Sequence, residues 1–451
     1  MNTLRSFKVE QLLGEFDHEI NFTTEKEFVI LHGPNGVGKT KLLELLAATL
    51  SFDIFRISEL QFAKLFLHFD DDVDLTVTNN SKSSGSSIDV TWDMKGGMFG
   101  QKGVSSSFHI PLDEIPPSFL REVEMEIRTM LSVDAAPSAK FRALEHSGRF
   151  LPAGARASRT FGRRIGINLE GFDPQIPAYL DQFSVHMVET QRLLILDRNH
   201  EGSARRRPGE SFPQRMKVSE CANDLASRIA TALTENSMVS QEQDKSFPRR
   251  VLDQSTDYAV PTEDKIREAY SAQSVLRNRL SSIALLDESM DVPLPPKKLI
   301  DWQKKVLWTY LEDSQKKLDS FTDLLTRVEL FREIISSRFQ FKRMVIDRRA
   351  GFRFANRRGD SIAPEQLSSG EQHEIVLIYD LLFEVKPGSL VLIDEPEISL
   401  HVAWQLEFLE DIRRIAAVSK FHFIVATHSP QIVNEWWSET LALSASPSEA
   451  E

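Results

Sequence analysis

Four short stretches of this chain combine residue types that do chemistry together. Residues 33–40 read Gly-Pro-Asn-Gly-Val-Gly-Lys-Thr, with three glycines leading directly into Lys39 and Thr40. Glycines at that spacing let backbone N–H groups curl around phosphate oxygens, and a helix that starts where the loop ends adds its partial positive charge. Gly33, Asn35, Gly36 and Gly38 would form the cradle, Lys39 would reach the β- and γ-phosphates of a nucleoside triphosphate, and Thr40 would place its hydroxyl on Mg2+. Residues 389–396 read Ser-Leu-Val-Leu-Ile-Asp-Glu-Pro, an apolar run that ends in two carboxylates. There Asp394 would hold Mg2+ through water, and Glu395 would orient and polarise an attacking water.

The other two stretches are read by their position. Residues 367–372, Leu-Ser-Ser-Gly-Glu-Gln, open a helix upstream of the acidic strand. This turn is either a plain N-cap or a donor surface in which Ser368 and the backbone at Gly370 meet a γ-phosphate held by another subunit. His428, in Thr427-His428-Ser429-Pro430, follows the last apolar strand and is a candidate γ-phosphate sensor. Gln191 ends a strand over 183–189; it is a candidate for contact with Mg2+ or the attacking water, and a structural glutamine is the alternative.

The elements that must position these residues follow from periodicity. Residues 5–32 read as a strand, a turn and a second strand that carries Phe28, Val29, Ile30 and Leu31 into the glycine loop, and a helix is expected over 40–50. Residues 73–78 and 88–94 alternate around a serine-rich turn, a β excursion beside the nucleotide core. Helical spacing recurs over 219–236 and 263–286, separated by a polar stretch containing Phe247, Pro248 and Arg249. A longer helix begins near Lys297, with Leu307, Leu311, Leu318, Phe321, Leu325, Val328 and Ile335 forming a heptad-like seam. That seam serves a partner helix or covers its own domain. A hairpin over 342–347 and 351–356, a helix over 370–383, a buried strand over 390–394, another helix and a strand over 421–426 complete the pattern. The fold class is therefore α/β, a P-loop NTPase head with a β excursion and a helical insertion forming a short coiled-coil-like arm. Its expected parts are an N-terminal lobe over 1–200, the insertion over 201–340, a C-terminal lobe over 341–441 and a disordered tail over 442–451.

Composition narrows the classes. A chain of 451 residues, 41% hydrophobic and 27% charged, is globular. It has no apolar run long enough to span a bilayer and no leader-like start, so a cytoplasmic protein with no membrane partner is expected. The lone Cys221 excludes an intrachain disulfide framework and a cysteine-based zinc site. A net charge of -12 argues against a general nucleic-acid coat. Two arginine-rich stretches, Arg142 to Arg164 and Arg192 to Arg207, are either solvated faces or sites for nucleic acid or an acidic protein.

These motifs in this order resemble the ABC-type ATPases of the SMC, Rad50 and RecF class, and most closely the AAA-like ATPases of the overcoming-lysogenization-defect group. The resemblance rests on residues 33–40, 367–372, 390–396 and 427–430, with softer support from residues 190–192 and 247–250. It implies ATP and Mg2+ as cofactors and a homo-oligomer, at least a dimer, in which two heads sandwich ATP between the Walker motifs of one and the signature of the other. Ser369 and Glu371 depart from the commonest signature, and residues 398–401, Ile-Ser-Leu-His, stand where transporters carry an aspartate. With no nuclease region after the last strand, the chain resembles the ATPase components of PARIS, Septu or retron-associated anti-phage systems. That implies a sensor or scaffold ATPase controlling a separate effector, a nuclease or toxin, and answering a nucleic-acid or phage-protein trigger. A RecF-like DNA-repair ATPase and a transporter subunit are the competing readings.

Overall fold

The computed structural model describes residues 4–22, 28–79, 87–95, 104–111, 175–188, 194–195, 215–252, 261–287, 292–398 and 400–443. The chain forms two compact units. The first comprises Met1–Thr190, Val385–Ile398 and Gln405–Glu451, and the second Gln191–Glu384 and Ser399–Trp404. The acidic strand and the histidine loop thus join the N-terminal segment in one unit, and the turn at Ser368 belongs with the helices in the other. This division differs from the three successive segments expected from sequence, because strand pairing ignores chain order.

In the first unit β1 (Leu4–Leu12), β2 (Phe16–Asn21), β4 (Lys64–Phe69), β5 (Asp74–Asn79), β6 (Ser87–Lys95) and β7 (Val104–Pro111) form an antiparallel sheet in the order β2-β1-β4-β5-β6-β7. The expected hairpin over 73–94 is the middle of this larger sheet. A second, parallel sheet has the order β16-β3-β15-β14-β8, from β3 (Phe28–His32), β8 (Val185–Val188), β14 (Leu390–Asp394), β15 (His422–Thr427) and β16 (Thr440–Ala442). Its central strands are buried along most of their length, as parallel strands covered on both faces must be. Helix α1 (Lys39–Leu50) sends Leu42, Leu43, Leu45 and Leu46 into a core that also holds Phe7, Val9, Leu65, Leu67, Leu392 and Ile424. The short helices α2 (Ile54–Glu59) and α3 (Gln175–Leu180) add Ile57, Ile176 and Leu180 to it.

Register aligns the chemistry. Asp394 lies opposite Ala426, and Thr427 lies opposite His32. The carboxyl ends of β3, β14 and β15 therefore open on one edge, the place where parallel sheets bind ligands. The chain end is more ordered than expected. β16 pairs with β3, and Leu443 is buried and donates its N–H to the His32 carbonyl at 2.8 Å. Ala442 and Leu443, expected in the tail, are thus part of the folded unit, and 444–451 lie outside the described residues.

In the second unit β9 (Leu194–Ile195) pairs with β10 (Arg215–Met216), and helices α4 (Lys217–Leu252), α5 (Glu263–Ser282), α6 (Asp301–Asp319) and α7 (Thr322–Arg338) follow. Helix α4 runs through Pro248, where the sequence suggested a break. Pro248 has no N–H to donate to the Asp244 carbonyl, a loss of about 3 kcal/mol in a helix interior, and Arg250 clamps the turn that follows by a two-pronged ion pair to the buried Asp313 of α6. The long helix expected from Lys297 is two helices, broken at Ser320 and Phe321. The apolar seam is turned inward, with Leu311, Leu318, Phe321, Leu325, Val328 and Ile335 all buried. Burial also pushes the Cys221 thiol up to about 12, which fits an inert core cysteine.

A three-stranded sheet, β11 (Lys342–Asp347), β12 (Gly351–Asn356) and β13 (Ser361–Ile362), leads into α8 (Ser369–Tyr379) and a π-helical turn over Asp380–Glu384. The remaining helices are α9 (Val402–Gln405), α10 (Phe408–Ser419) and α11 (Pro430–Val433). Among the described residues no helix is long and apolar enough to cross a membrane.

Candidate functional site

The glycine loop between β3 and α1 has the conformation its sequence requires. Gly36 and Gly38 hold φ of 86° and 91°, a left-handed region costly for other residues. Gly33 is needed for space: a Cβ there would stand 2.6 Å from the carbonyl oxygen of Leu443. Gly38 is the N-cap of α1 and supplies no side-chain hydrogen bond, so the first N–H groups of the helix have no side chain competing for them.

Lys39 is 4% exposed and folds back on its own loop, donating to the carbonyls of Gly33 at 2.9 Å and Pro34 at 3.2 Å. Its Nζ is also 3.1 Å from Nδ1 of His428. An ammonium can only donate, so Nδ1 accepts and the ring proton sits on Nε2, which donates to Oε1 of Glu395 at 3.0 Å. Burial lowers the Lys39 pKa, and the carboxylates of Glu395, Asp394 and Glu397 oppose that shift.

Thr40 donates its hydroxyl to Oδ2 of Asp394 at 2.8 Å. The other oxygen, Oδ1, is buried and unpartnered among the described residues. Burial raises the Asp394 pKa, the Thr40 hydrogen bond resists, and the Glu395 charge adds to the rise. A buried, unsatisfied carboxylate oxygen beside a threonine hydroxyl fits the few protein ligands that Mg2+ takes. Glu395 holds φ of 42°, a costly left-handed conformation fixed by its N–H donating to the Ala426 carbonyl at 2.8 Å.

Glu397 escaped the sequence reading. Its Oε2 accepts from the Thr427 hydroxyl at 2.9 Å, and its Oε1 accepts the backbone N–H groups of His428 at 2.6 Å and Ser429 at 3.2 Å. The Ser429 hydroxyl donates to Oε1 of Gln405 at 2.7 Å. Glu397 thereby fixes the backbone that presents the His428 ring. Its only sequence signal is a third carboxylate in Asp-Glu-Pro-Glu.

In the second unit, Ser368 caps α8 in a reciprocal capping box. Its Oγ accepts from the Glu371 N–H at 3.4 Å, while its own N–H and hydroxyl both donate to Oε2 of Glu371 at 2.9 Å. Lys342 holds the same carboxylate at 2.6 and 2.7 Å. Burial alone would raise the Glu371 pKa, but the Lys342 ammonium and the Ser368 donors outweigh it and hold it low. Ser368 is exposed, and a Cβ on Gly370 would meet nothing within 4 Å, so this helix start is open to a ligand from outside. Gln191 and both arginine-rich stretches lie outside the described residues. Lys39, Thr40, Asp394, Glu395 and His428 are in one cluster within the first unit. Ser368 and Gly370 belong to the second.

Residues 215–434 match the family model described as "AAA domain, putative AbiEii toxin, Type IV TA system". Residues 29–89 match the one described as "ATPase family associated with various cellular activities (AAA)". The chain thus carries an AAA-type P-loop ATPase domain. No curated protein matches it. Among solved structures, the Smc head domain with an extended coiled coil bound to the C-terminal domain of ScpA from Pyrococcus furiosus is 12% identical, with a TM-score of 0.34 over 99% of this chain and 94% of that one. The SMC head domain from Thermotoga maritima is 10% identical, with a TM-score of 0.33 over 95% of this chain and 90% of that one.

Proposed function

We propose that this chain is a Mg2+-dependent ATPase whose site is completed by the Ser368 turn of a second copy, and that the engaged pair controls a separate effector in anti-phage defence. The observation that carries the ATPase reading is the convergence of Lys39, Thr40, Asp394, Glu395 and His428 at the carboxyl ends of three adjacent parallel strands. The open helix start at Ser368 supports completion in trans. The matched family description, which names a putative toxin of a type IV toxin–antitoxin system, supports a place in a two-component system.

Bound Mg2+ would neutralise charge between the phosphates, and Thr40 and Asp394 would hold it. The chain's own residues do the rest. Lys39 exchanges the Gly33 and Pro34 carbonyls for phosphate oxygens, which are stronger acceptors of a charged donor. Glu395, released from the His428 ring, accepts a proton from the attacking water and orients it. His428, held by Glu397, keeps Nε2–H as a donor that can turn to the terminal phosphate. The water oxygen bonds to the γ-phosphorus as the bond from that phosphorus to the ADP oxygen breaks, and Glu395 then returns its proton to the released phosphate or to solvent.

The test is ATP hydrolysis by the purified chain with Mg2+, compared with Lys39→Ala, while mass is followed with and without ATP. The reading predicts hydrolysis by the wild type, about tenfold to a hundredfold weaker ATP binding by the variant, and an ATP-dependent rise in mass. Equal ATP binding by both proteins would remove Lys39 from the site. Purification with the products of neighbouring genes checks the effector; a permease among them would favour transport instead.

A further inference from the structure

One surface of the second unit contradicts the acidic character of the chain. From Phe341 to Arg358 there are seven basic residues, Lys342, Arg343, Arg348, Arg349, Arg353, Arg357 and Arg358, and one acidic residue, Asp347, in a protein of net charge -12. Two of the seven have structural duties: Lys342 holds Glu371, and Arg348 pairs with Asp287. Of the others, Arg343 lies in β11 and Arg353 in β12, and Arg349, Arg357 and Arg358 lie in the turns at the ends of that hairpin.

Strand alternation sorts their faces. Met344, Ile346, Phe352 and Phe354 are buried on one side, and their ladder partners are cross-strand neighbours. Arg343, Val345 and Arg353 occupy the opposite side, with Val345 paired to Arg353. Arg343 is exposed and Arg353 half-buried. At one end of this hairpin Phe341 is 60% exposed, with the Arg357 guanidinium stacked 4.6 Å above its ring, and Arg358 is exposed beside it. At the other end Arg349 is exposed.

Carboxylates do not cancel this charge. Among the described residues Arg343, Arg357 and Arg358 form no ion pair. Asp347 lies near Arg353 and Arg349, but its carboxylate accepts the backbone N–H groups of Arg349 and Ala350 at 2.8 and 2.9 Å. Asp360 is engaged by Asn356 at 2.9 Å. Exposed arginines clustered without carboxylate partners make a local positive field that attracts an anion.

We infer that the outward face of β11 and β12, with Arg343, Arg353, Arg357 and Arg358 around Phe341, binds a nucleic-acid backbone. Strands of six residues give a basic track roughly 20 Å long, at ~3.4 Å per residue, which spans several phosphates of an extended strand. Guanidinium forks suit phosphate oxygens, and an exposed aromatic ring beside them suits the face of an unpaired base. The Arg343 side of the sheet is opposite the side on which Lys342 meets Glu371, so a bound strand leaves the capping box of α8 untouched. This inference does not depend on the ATPase reading.

Fluorescence anisotropy of the full chain with labelled 30-nucleotide DNA, single-stranded and duplex in separate arms, tests it. Binding is expected in at least one arm at 50 mM salt. Three to four phosphate contacts predict roughly 40- to 150-fold weakening by 200 mM salt on duplex and about 20- to 50-fold on a single strand. Arg343→Glu with Arg357→Glu should weaken binding at least about tenfold, and the corresponding Gln pair should reduce the salt slope by about two. Circular dichroism and ATP hydrolysis should be unchanged in both. Absence of binding in both arms at 50 mM salt, or equal binding by wild type and the Glu pair, would overturn the inference. Capture of polyglutamate with no capture of DNA would overturn it too, by assigning the face to an acidic protein.

Discussion

Two helix starts in this molecule face the same physical problem and solve it in opposite ways. The first turn of α1 is preceded by Gly38, which caps nothing with a side chain, so its N–H groups are available to an anion. The first turn of α8 is preceded by Ser368 and contains Glu371, which satisfy each other, and Lys342 neutralises the carboxylate. The difference teaches what each can be. An uncapped start packed against Asp394 and His428 is built to keep a phosphate. A self-capped, exposed start is stable without one and can meet a phosphate arriving on another molecule.

Substitutions can break this contrast, and the largest effect is expected at the first site. Glu395→Gln should lower hydrolysis by about 10²–10⁴-fold while leaving ATP binding within about twofold, measured by turnover and by calorimetry. An unchanged rate would show that the water is activated elsewhere. Next in size, Glu397→Ala leaves the Thr427 hydroxyl and two backbone N–H groups without their acceptor, a loss of about 1–3 kcal/mol measured by denaturant unfolding. Its hydrolysis should fall with kcat rather than KM, because His428 loses its support and the phosphate cradle does not.

Asp394 sharpens the comparison through pH. Its folded pKa is raised by burial, so its contribution to stability is greatest at low pH and is lost as pH rises through that value. Asp394→Asn removes the buried charge, and the nucleotide-free protein should melt at a higher temperature at pH 7 while Mg2+ no longer stabilises it further. A lower melting temperature would mean the carboxylate is structural. The smallest effect belongs to Glu371→Gln. Glutamine keeps the capping box and removes a negative charge from the α8 start, so ATP-dependent assembly should tighten, by up to about tenfold, with α8 intact. Weaker assembly would show that no phosphate approaches there.

What was legible in sequence follows from this same contrast. Lys39, Thr40, Asp394, Glu395 and His428 stand at the ends of buried strands, where apolar runs announce both element and edge. Their meeting followed from a parallel sheet. Glu397 was invisible because its partners lie 30 to 32 positions away and only a three-residue turn brings them near. The need for glycine at 33 likewise depends on Leu443, at the far end of the chain. Pro248 misled a periodic reading because Arg250 and Asp313 hold together what local propensity would interrupt, and the break at Ser320 was hidden because the apolar spacing continues across it. Ser368 was legible as a cap and as a trans donor, and the open space at Gly370 is compatible with both.

Mixing two defective chains tests completion in trans most directly. Lys39→Ala lacks a working cradle and keeps its Ser368 turn; Ser368→Arg keeps the cradle and blocks the turn. Each alone should hydrolyse ATP at background. An equimolar mixture should recover roughly a quarter of wild-type turnover per chain, because random pairing gives half mixed dimers with one complete site each. A mixture as inactive as its components, or a Ser368→Arg chain active by itself, would contradict a site shared between two copies.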